Sequence, residues 1–112
     1  MIEVGILGAT GAVGQRFIQL LTDHPEFSIR VVTASEDSAG ETYRSAAKWR
    51  VDTPIPEAVA DRTVRETAPE AIPEDVDLLF SSLPSSVAEQ VEPDFLEAGY
   101  VVSSNSSNER QA

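Results

Sequence analysis

Three glycines at a spacing of three, Gly8, Gly11 and Gly14, lie directly after a short apolar run and directly before a helical pattern. This junction restricts the fold more than any other feature of the chain. The run Ile2 to Leu7 is bounded by glycine and reads as a strand buried on both faces. Beyond it, Val13, Phe17, Leu20 and Leu21 recur at i, i+4, i+7 and i+8, which predicts one face of an α-helix. In such a turn the first glycine permits the sharp reversal, the second lets the backbone approach a pyrophosphate, and the third lets the helix pack close to the strand. The unpaired N–H groups and dipole of the helix then favour an anion. Gly8, Thr10, Gly11, Ala12, Val13 and Gly14 are therefore the first candidate cofactor-binding residues, with the Thr10 hydroxyl as an added donor. A glycine turn that serves packing alone is the plainer alternative. The strand before it and the amphipathic helix after it favour dinucleotide binding.

The rest of the chain continues the alternation. The first helix is expected to stop near His24, because Pro25 disfavours a helical residue before it. Phe27 to Ala34, rich in β-branched residues, predicts a second strand. From Ser35 to Pro56 the pattern weakens into a loop with one helical turn around Ala46 to Trp49, and Thr63 to Glu66 reads as a short strand. Val76 to Phe80 predicts another strand, running into Ser81-Ser82-Leu83-Pro84. Ser86 with Glu89 matches a capping box, after which Val87 and Val91 open a helical face. Pro93 is expected to kink or restart that helix, which runs to Gly99, and Tyr100 to Ser103 is a last strand. Strands alternating with helices predict an α/β fold, a Rossmann-like doubly wound parallel sheet. Residues 1–112 read as one dinucleotide-binding domain, incomplete on its C-terminal side, because polar residues follow the last strand without a closing signal.

Composition narrows the function classes. At 112 residues the chain can bury one sheet with flanking helices. It has no cysteine, which excludes disulfides, thiolate metal sites and a thiol nucleophile within this stretch. Nineteen acids against eight bases give a net charge of −11, and Lys48 is the only lysine. Such a surface repels nucleic acid and anionic membranes, so neither is an expected partner; a small-molecule substrate is. No apolar run approaches the ~20 residues of a membrane span, and the start Met1-Ile2-Glu3-Val4 carries no basic leader, so a cytoplasmic location is expected. His24, the only histidine, reads as a dipole or packing residue at a helix end. Trp49 reads as a hydrophobic anchor of the long loop, with a place against adenine as the alternative.

The end of the second strand ordinarily decides between the two nicotinamide cofactors. An acid there bonds the ribose hydroxyls, whereas small or basic residues admit a 2′-phosphate. Here the strand ends Ala34-Ser35-Glu36-Asp37-Ser38-Ala39-Gly40. Ser35 and Ser38 can hold a phosphate by hydrogen bonds; Glu36 and Asp37 oppose one if they point inward, and otherwise form a solvated acidic turn.

Taken together, Gly5-Ile6-Leu7-Gly8-Ala9-Thr10-Gly11-Ala12-Val13-Gly14-Gln15-Arg16-Phe17, His24-Pro25, Ala34-Ser35 with Ser38-Ala39-Gly40, Phe80-Ser81-Ser82-Leu83-Pro84-Ser85, and Ser104-Asn105 with Arg110 form an ordered set of motifs. The set resembles the aspartate-β-semialdehyde dehydrogenases of the archaeal and fungal branch and runs through nearly the whole chain. The resemblance implies an enzyme that reduces β-aspartyl phosphate to aspartate semialdehyde with NADPH, reversibly, on the route to lysine, threonine, methionine and isoleucine. It implies a homo-oligomeric parent whose acyl-forming cysteine and acid/base histidine lie beyond this chain, leaving the chain alone inactive. It places Thr10, Gly11 and Val13 on the pyrophosphate, Ser35 and Ser38 at the adenosine ribose phosphate, and Ser82, Leu83 and Pro84 against the cofactor where the strand order reverses. Arg110 falls to the substrate phosphate, a task its planar fork suits, or is simply solvated. Asn105 falls to the nicotinamide side, or forms a turn.

Two departures from that family pattern stand out. Asp37 and Glu41 replace the arginine and lysine common at those positions, which leaves NAD open beside NADP. The related acyl reductases acting on malonyl-CoA or N-acetyl-glutamyl phosphate are rival readings, as is a non-catalytic nucleotide-sensing module. The acidic excess and scarcity of lysine predict adaptation to a salty cytoplasm, because about 1 M salt shortens the screening length to about 3 Å and suppresses self-repulsion. Thermal unfolding should therefore move to higher temperature as salt is added toward molar concentrations; a midpoint equally high in dilute buffer would sink that reading.

Overall fold

In the computed structural model, which describes residues 2–22, 24–34, 38–49, 51 and 54–104, the glycine-bounded run becomes the central strand β1 (Ile2–Leu7), fully buried from Val4 onward. The remaining elements follow as α1 (Ala12–Thr22), β2 (Phe27–Ala34), α2 (Tyr43–Ala46), α3 (Glu57–Ala60), β3 (Arg65–Glu66), a 3₁₀ turn (Pro69–Ala71), β4 (Leu78–Ser81), α4 (Ser85–Glu97) and β5 (Val102–Ser104). The five strands form one sheet in the order β3-β2-β1-β4-β5, and every pairing is parallel. Parallel neighbours require crossovers, and the order reverses between β1 and β4. The two faces carry separate apolar clusters. Ile18 and Leu21 of α1 pack with Val4, Ile6 and Val32, while Phe95 of α4 packs with Leu7, Val31 and Leu79. β2 carries one extra residue opposite the Val4/Gly5 step, so both Ile29 and Val31 turn inward, to opposite clusters.

Helix α1 presents a different stripe from the one its periodicity suggests. Val13 and Leu20 are 44% and 61% exposed, whereas Gly14, Gln15, Ile18 and Leu21 are buried. The cause lies at Gly14: a Cβ there would collide with the Gly8 carbonyl oxygen and lie 2.7 Å from Ala9 Cα. The helix can come that close to the turn only with its hydrogen-faced residue inward. This rotation carries 14, 18 and 21 to the sheet, with Phe17 half-buried against the Phe80 ring at 5.4 Å.

Helix α4 also departs from its sequence signals. It starts at Ser85 with Pro84 as N-cap and no side-chain cap, so Ser86 lies inside the first turn and the expected Ser86–Glu89 capping box is not formed. Pro93 sits within one unbroken helix and does not restart it; Ala88 and Phe95, buried on either side, hold both halves to the sheet. Val87 is 41% exposed, and the inward face is Val91 and Phe95. The helix closes with Tyr100 N–H donating to Phe95 O at 3.0 Å and Gly99 N–H to Leu96 O at 3.0 Å, around Gly99 at φ +97°. This is the paired arrangement that favours glycine. Smaller shifts occur elsewhere. The predicted turn at Ala46 to Trp49 forms three residues earlier, where the Thr42 hydroxyl accepts from Ser45 N–H at 3.3 Å. β3 covers only Arg65–Glu66, with Thr63 bridging Thr42. His24 takes a packing role, its ring edge-on to Phe27 at 4.7 Å and its Nδ1 accepting from Glu26 N–H. Among the described residues no helix is long and apolar enough to cross a membrane.

Tyr43 ties the long β2-to-β3 connection to the rest of the domain. Its side chain is fully buried and its hydroxyl donates to the Ala9 carbonyl at 2.6 Å, just behind the glycine turn. Burial pushes its phenol well above the ordinary value of 10.0, because the phenolate would lose its water. A raised folded-state pKa means that the unfolded chain sheds this proton first, so the stabilisation is complete below pH 10 and is lost as the pH rises further. Resistance to urea unfolding should accordingly fall above pH 10. Tyr43→Phe should cost about 1 kcal/mol at neutral pH, through the unpaired Ala9 carbonyl, and should flatten the alkaline decline. A variant as pH-sensitive as the original would refute the assignment.

Candidate functional site

The strand order reverses between β1 and β4, the place where open parallel sheets bind ligands, and the glycine turn lies at the carboxyl end of β1 there. Gly8 follows β1 at φ +75°, a conformation open to glycine and strained for other residues. The turn is fixed from three sides. Ala9 N–H donates to Thr33 O of β2 at 2.8 Å, and Ser82 N–H donates to Leu7 O at 3.0 Å. The Ser82 hydroxyl is shared between the carbonyls of Leu7 and Gly8, at 2.8 and 2.9 Å. From below, Gln15 is 2% exposed, and its amide nitrogen donates both to Thr10 O at 2.9 Å and to Lys48 O at 3.2 Å.

The three glycines divide the work. Gly8 makes the reversal, and its missing side chain leaves room for Leu83, whose Cδ2 would lie 3.0 Å from a Cβ at that position. Gly14 allows the close approach of helix to turn. Gly11 faces space: a Cβ there would meet nothing nearer than the Gly8 carbonyl oxygen at 3.9 Å. Beside it, the N–H groups of Ala12, Val13 and Gly14 have no backbone acceptor among the described residues. Thr10, Gly11, Ala12, Gln15, Ala46 and Lys48 line a cavity of about 240 Å³ at this helix mouth. Partial positive charge, free donors and an uncrowded backbone make this a site for an anionic group.

Of the residues singled out in the sequence, the structure thus gathers Gly8, Thr10, Gly11, Ala12, Val13, Gly14, Ser82 and Leu83 around one turn, with Pro84 capping α4 beside it. Ser82 spends its proton on backbone carbonyls, so its hydroxyl fastens the β1 and β4 loops to each other. Ser38 opens the turn after β2, where its carbonyl accepts from Glu41 N–H at 3.2 Å. The Glu41 carboxylate accepts from the Ser45 hydroxyl at 3.3 Å. Ser35, Asp37, Asn105 and Arg110 lie outside the described residues. Sequence reasoning passed over Gln15, Tyr43 and Lys48. For Gln15 the signal was present, since an amide next to an inward-facing glycine has to find buried partners.

Comparison with known proteins agrees with this geometry. The family model described as the NAD binding domain of semialdehyde dehydrogenase matches residues 3–112. The chain is 54% identical over 107 residues to an aspartate-semialdehyde dehydrogenase of Methanothermobacter thermautotrophicus, a match covering 96% of this chain and 30% of the relative. The crystal structure of aspartate semialdehyde dehydrogenase with NADP from Candida albicans superposes at a TM-score of 0.92 with 46% identity, over 99% of this chain and 31% of that one. Aspartate semialdehyde dehydrogenase II of Vibrio cholerae, complexed with ASA, gives a TM-score of 0.67 at 31% identity, over 98% of this chain and 32% of that one. The chain therefore spans about 30% of the length of the relatives it matches.

The glycine geometry separates two substitutions that look alike on paper. Gly14→Ala forces backbone apart and should destabilise the domain by several kcal/mol, beyond the 1–3 kcal/mol usual for overpacking. Gly11→Ala should fold with a near-normal melting temperature and yet lose anion binding at the helix mouth. Equal melting temperatures for the two variants would contradict this division.

Proposed function

The chain belongs to the semialdehyde dehydrogenase NAD-binding domain family, and from that premise we propose that it is the NADP-holding part of an aspartate-semialdehyde dehydrogenase, the enzyme that interconverts β-aspartyl phosphate and aspartate semialdehyde in amino-acid biosynthesis. The observation that carries this reading is the open backbone at Gly11 beside the unpaired N–H groups of Ala12, Val13 and Gly14. A diphosphate there receives several N–H donors and the positive end of an 11-residue helix. The relative from Candida albicans, similar over almost the whole chain, was solved with NADP.

The bound nucleotide supplies the hydride. The chain's own residues bind and orient it. The Ser82 hydroxyl fastens the β4 loop to Leu7 and Gly8, which fixes the turn that receives the diphosphate. Leu83, half-buried over Gly8, offers an apolar contact on the β4 side of the turn, and Pro84 caps the start of α4. Ser35 and Ser38 are assigned to the adenosine ribose phosphate, Asn105 to the nicotinamide side and Arg110 to the substrate phosphate. The chain has no cysteine and so does not supply the thiol that forms the acyl intermediate; its one histidine, His24, packs on Phe27 and is not assigned to the proton transfer. The parent protein is taken to be a cytoplasmic homo-oligomer.

Calorimetric titration of the chain with NADP and with NAD tests the reading. Saturable binding of NADP below millimolar concentration, with no turnover of aspartate semialdehyde, is the expected result. A tenfold preference between the two nucleotides corresponds to about 1.4 kcal/mol. Failure to bind either nucleotide at millimolar concentration would overturn the assignment.

A further inference from the structure

The chain carries eight bases against nineteen acids, and an anionic ligand has to be held against that field. The described arginines are engaged elsewhere. Arg30 pairs with Asp75 at 3.1 Å and Arg44 with Asp61 at 3.4 Å. Arg16 donates to Gln19, Arg62 to the Arg30 carbonyl and Arg65 to the Ala71 carbonyl. Lys48 is different. Its side chain is exposed and makes no hydrogen bond or ion pair among the described residues.

Its position is nevertheless fixed with respect to the glycine turn. The buried Gln15 amide nitrogen donates to the carbonyls of both Lys48 and Thr10, so the two backbones are held two hydrogen-bond lengths apart at most. The adjacent Ala47 is buried, and Trp49 packs edge-on to Tyr43 at 6.3 Å, which anchors the segment on either side of the lysine. Lys48 and the turn residues Thr10, Gly11 and Ala12 line the same cavity. A flexible four-carbon stem carrying a compact charge is thereby rooted at the rim of a cavity whose opposite wall is a helix N-terminus.

We infer that the Lys48 ammonium contacts a phosphate group of the bound dinucleotide, and that it is the cation through which this acidic domain offsets its own negative field at the nucleotide. The inference rests on the nucleotide-binding reading above and adds a phosphate-contacting residue to it. It also accounts for a single lysine being kept at this rim. Because the lysine is long and solvent-exposed, its contact is with charge and not with shape, and it should be sensitive to salt.

Binding of NADP and of NAD is to be measured by calorimetry at several salt concentrations for the unaltered chain, Lys48→Gln and Lys48→Arg. Lys48→Gln is expected to weaken NADP binding about fivefold and to reduce its salt dependence, while Lys48→Arg keeps both and all three chains melt alike. If NAD weakens equally, the contact is the diphosphate that the two nucleotides share; if NADP alone weakens, it is the 2′-phosphate. Either result supports the inference. Unchanged affinity and salt dependence in Lys48→Gln, with the unaltered chain still binding, would overturn it and leave the nucleotide-binding reading intact. If the unaltered chain binds neither nucleotide, both fall together.

Discussion

Residue 14 has no side chain, and that missing atom governs how α1 sits on the sheet. Any Cβ would strike the Gly8 carbonyl and crowd the Ala9 backbone, so the helix approaches its own turn as closely as backbone allows. Several features follow from that contact. It leaves the first-turn N–H groups of Ala12, Val13 and Gly14 without a backbone acceptor among the described residues, next to the uncrowded Gly11. It rotates the helix so that Ile18 and Leu21 meet Val4, Ile6 and Val32. It also brings Gln15 beneath the turn, where one amide nitrogen holds the Thr10 and Lys48 carbonyls together.

The turn is a rigid site because neighbouring elements satisfy its polar groups. Thr33, Tyr43, Gln15 and Ser82 come from two strands' ends, a helix and a long connection, and each takes up a backbone group between Leu7 and Thr10. These are buried or half-buried hydrogen bonds, whose loss would leave polar atoms dry. The donors left over, at Ala12, Val13 and Gly14, are the ones with ligand-binding character. Pre-organisation of this kind lets a helix end act on an anion without reordering at the moment of binding.

Much of this was legible along the chain. The strands Ile2–Leu7 and Phe27–Ala34 were readable because a centrally buried parallel strand needs apolar or β-branched residues throughout, which leaves little room for other patterns. The glycine junction was readable because only glycine fits its backbone at positions 8 and 14. The stripe of α1 was misjudged through Val13 and Leu20, because periodicity weighs hydrophobicity while the deciding residue was a glycine, which periodicity ignores. The Ser86–Glu89 pair looked like a cap because a capping box is a purely local signal; the actual start at Ser85 is set by the exit of β4 through Pro84. Lys48 stood out only as the one lysine; nothing in its neighbours announces that Gln15, 33 residues away, will hold its carbonyl.

Residue types alone determined that the chain alternates strands with helices, that a nucleotide diphosphate suits its first turn, that no thiol is available within it, and that its surface repels polyanions. Those properties are local or additive: they depend on backbone freedom at single positions, on short periodicities, or on sums of charge. Tertiary structure decided the strand order β3-β2-β1-β4-β5, the face that each helix buries, and the meeting of Gly8 with Ser82 and of Thr10 with Lys48. These depend on contacts between residues tens of positions apart, whose energies exist only once the sheet has brought them together.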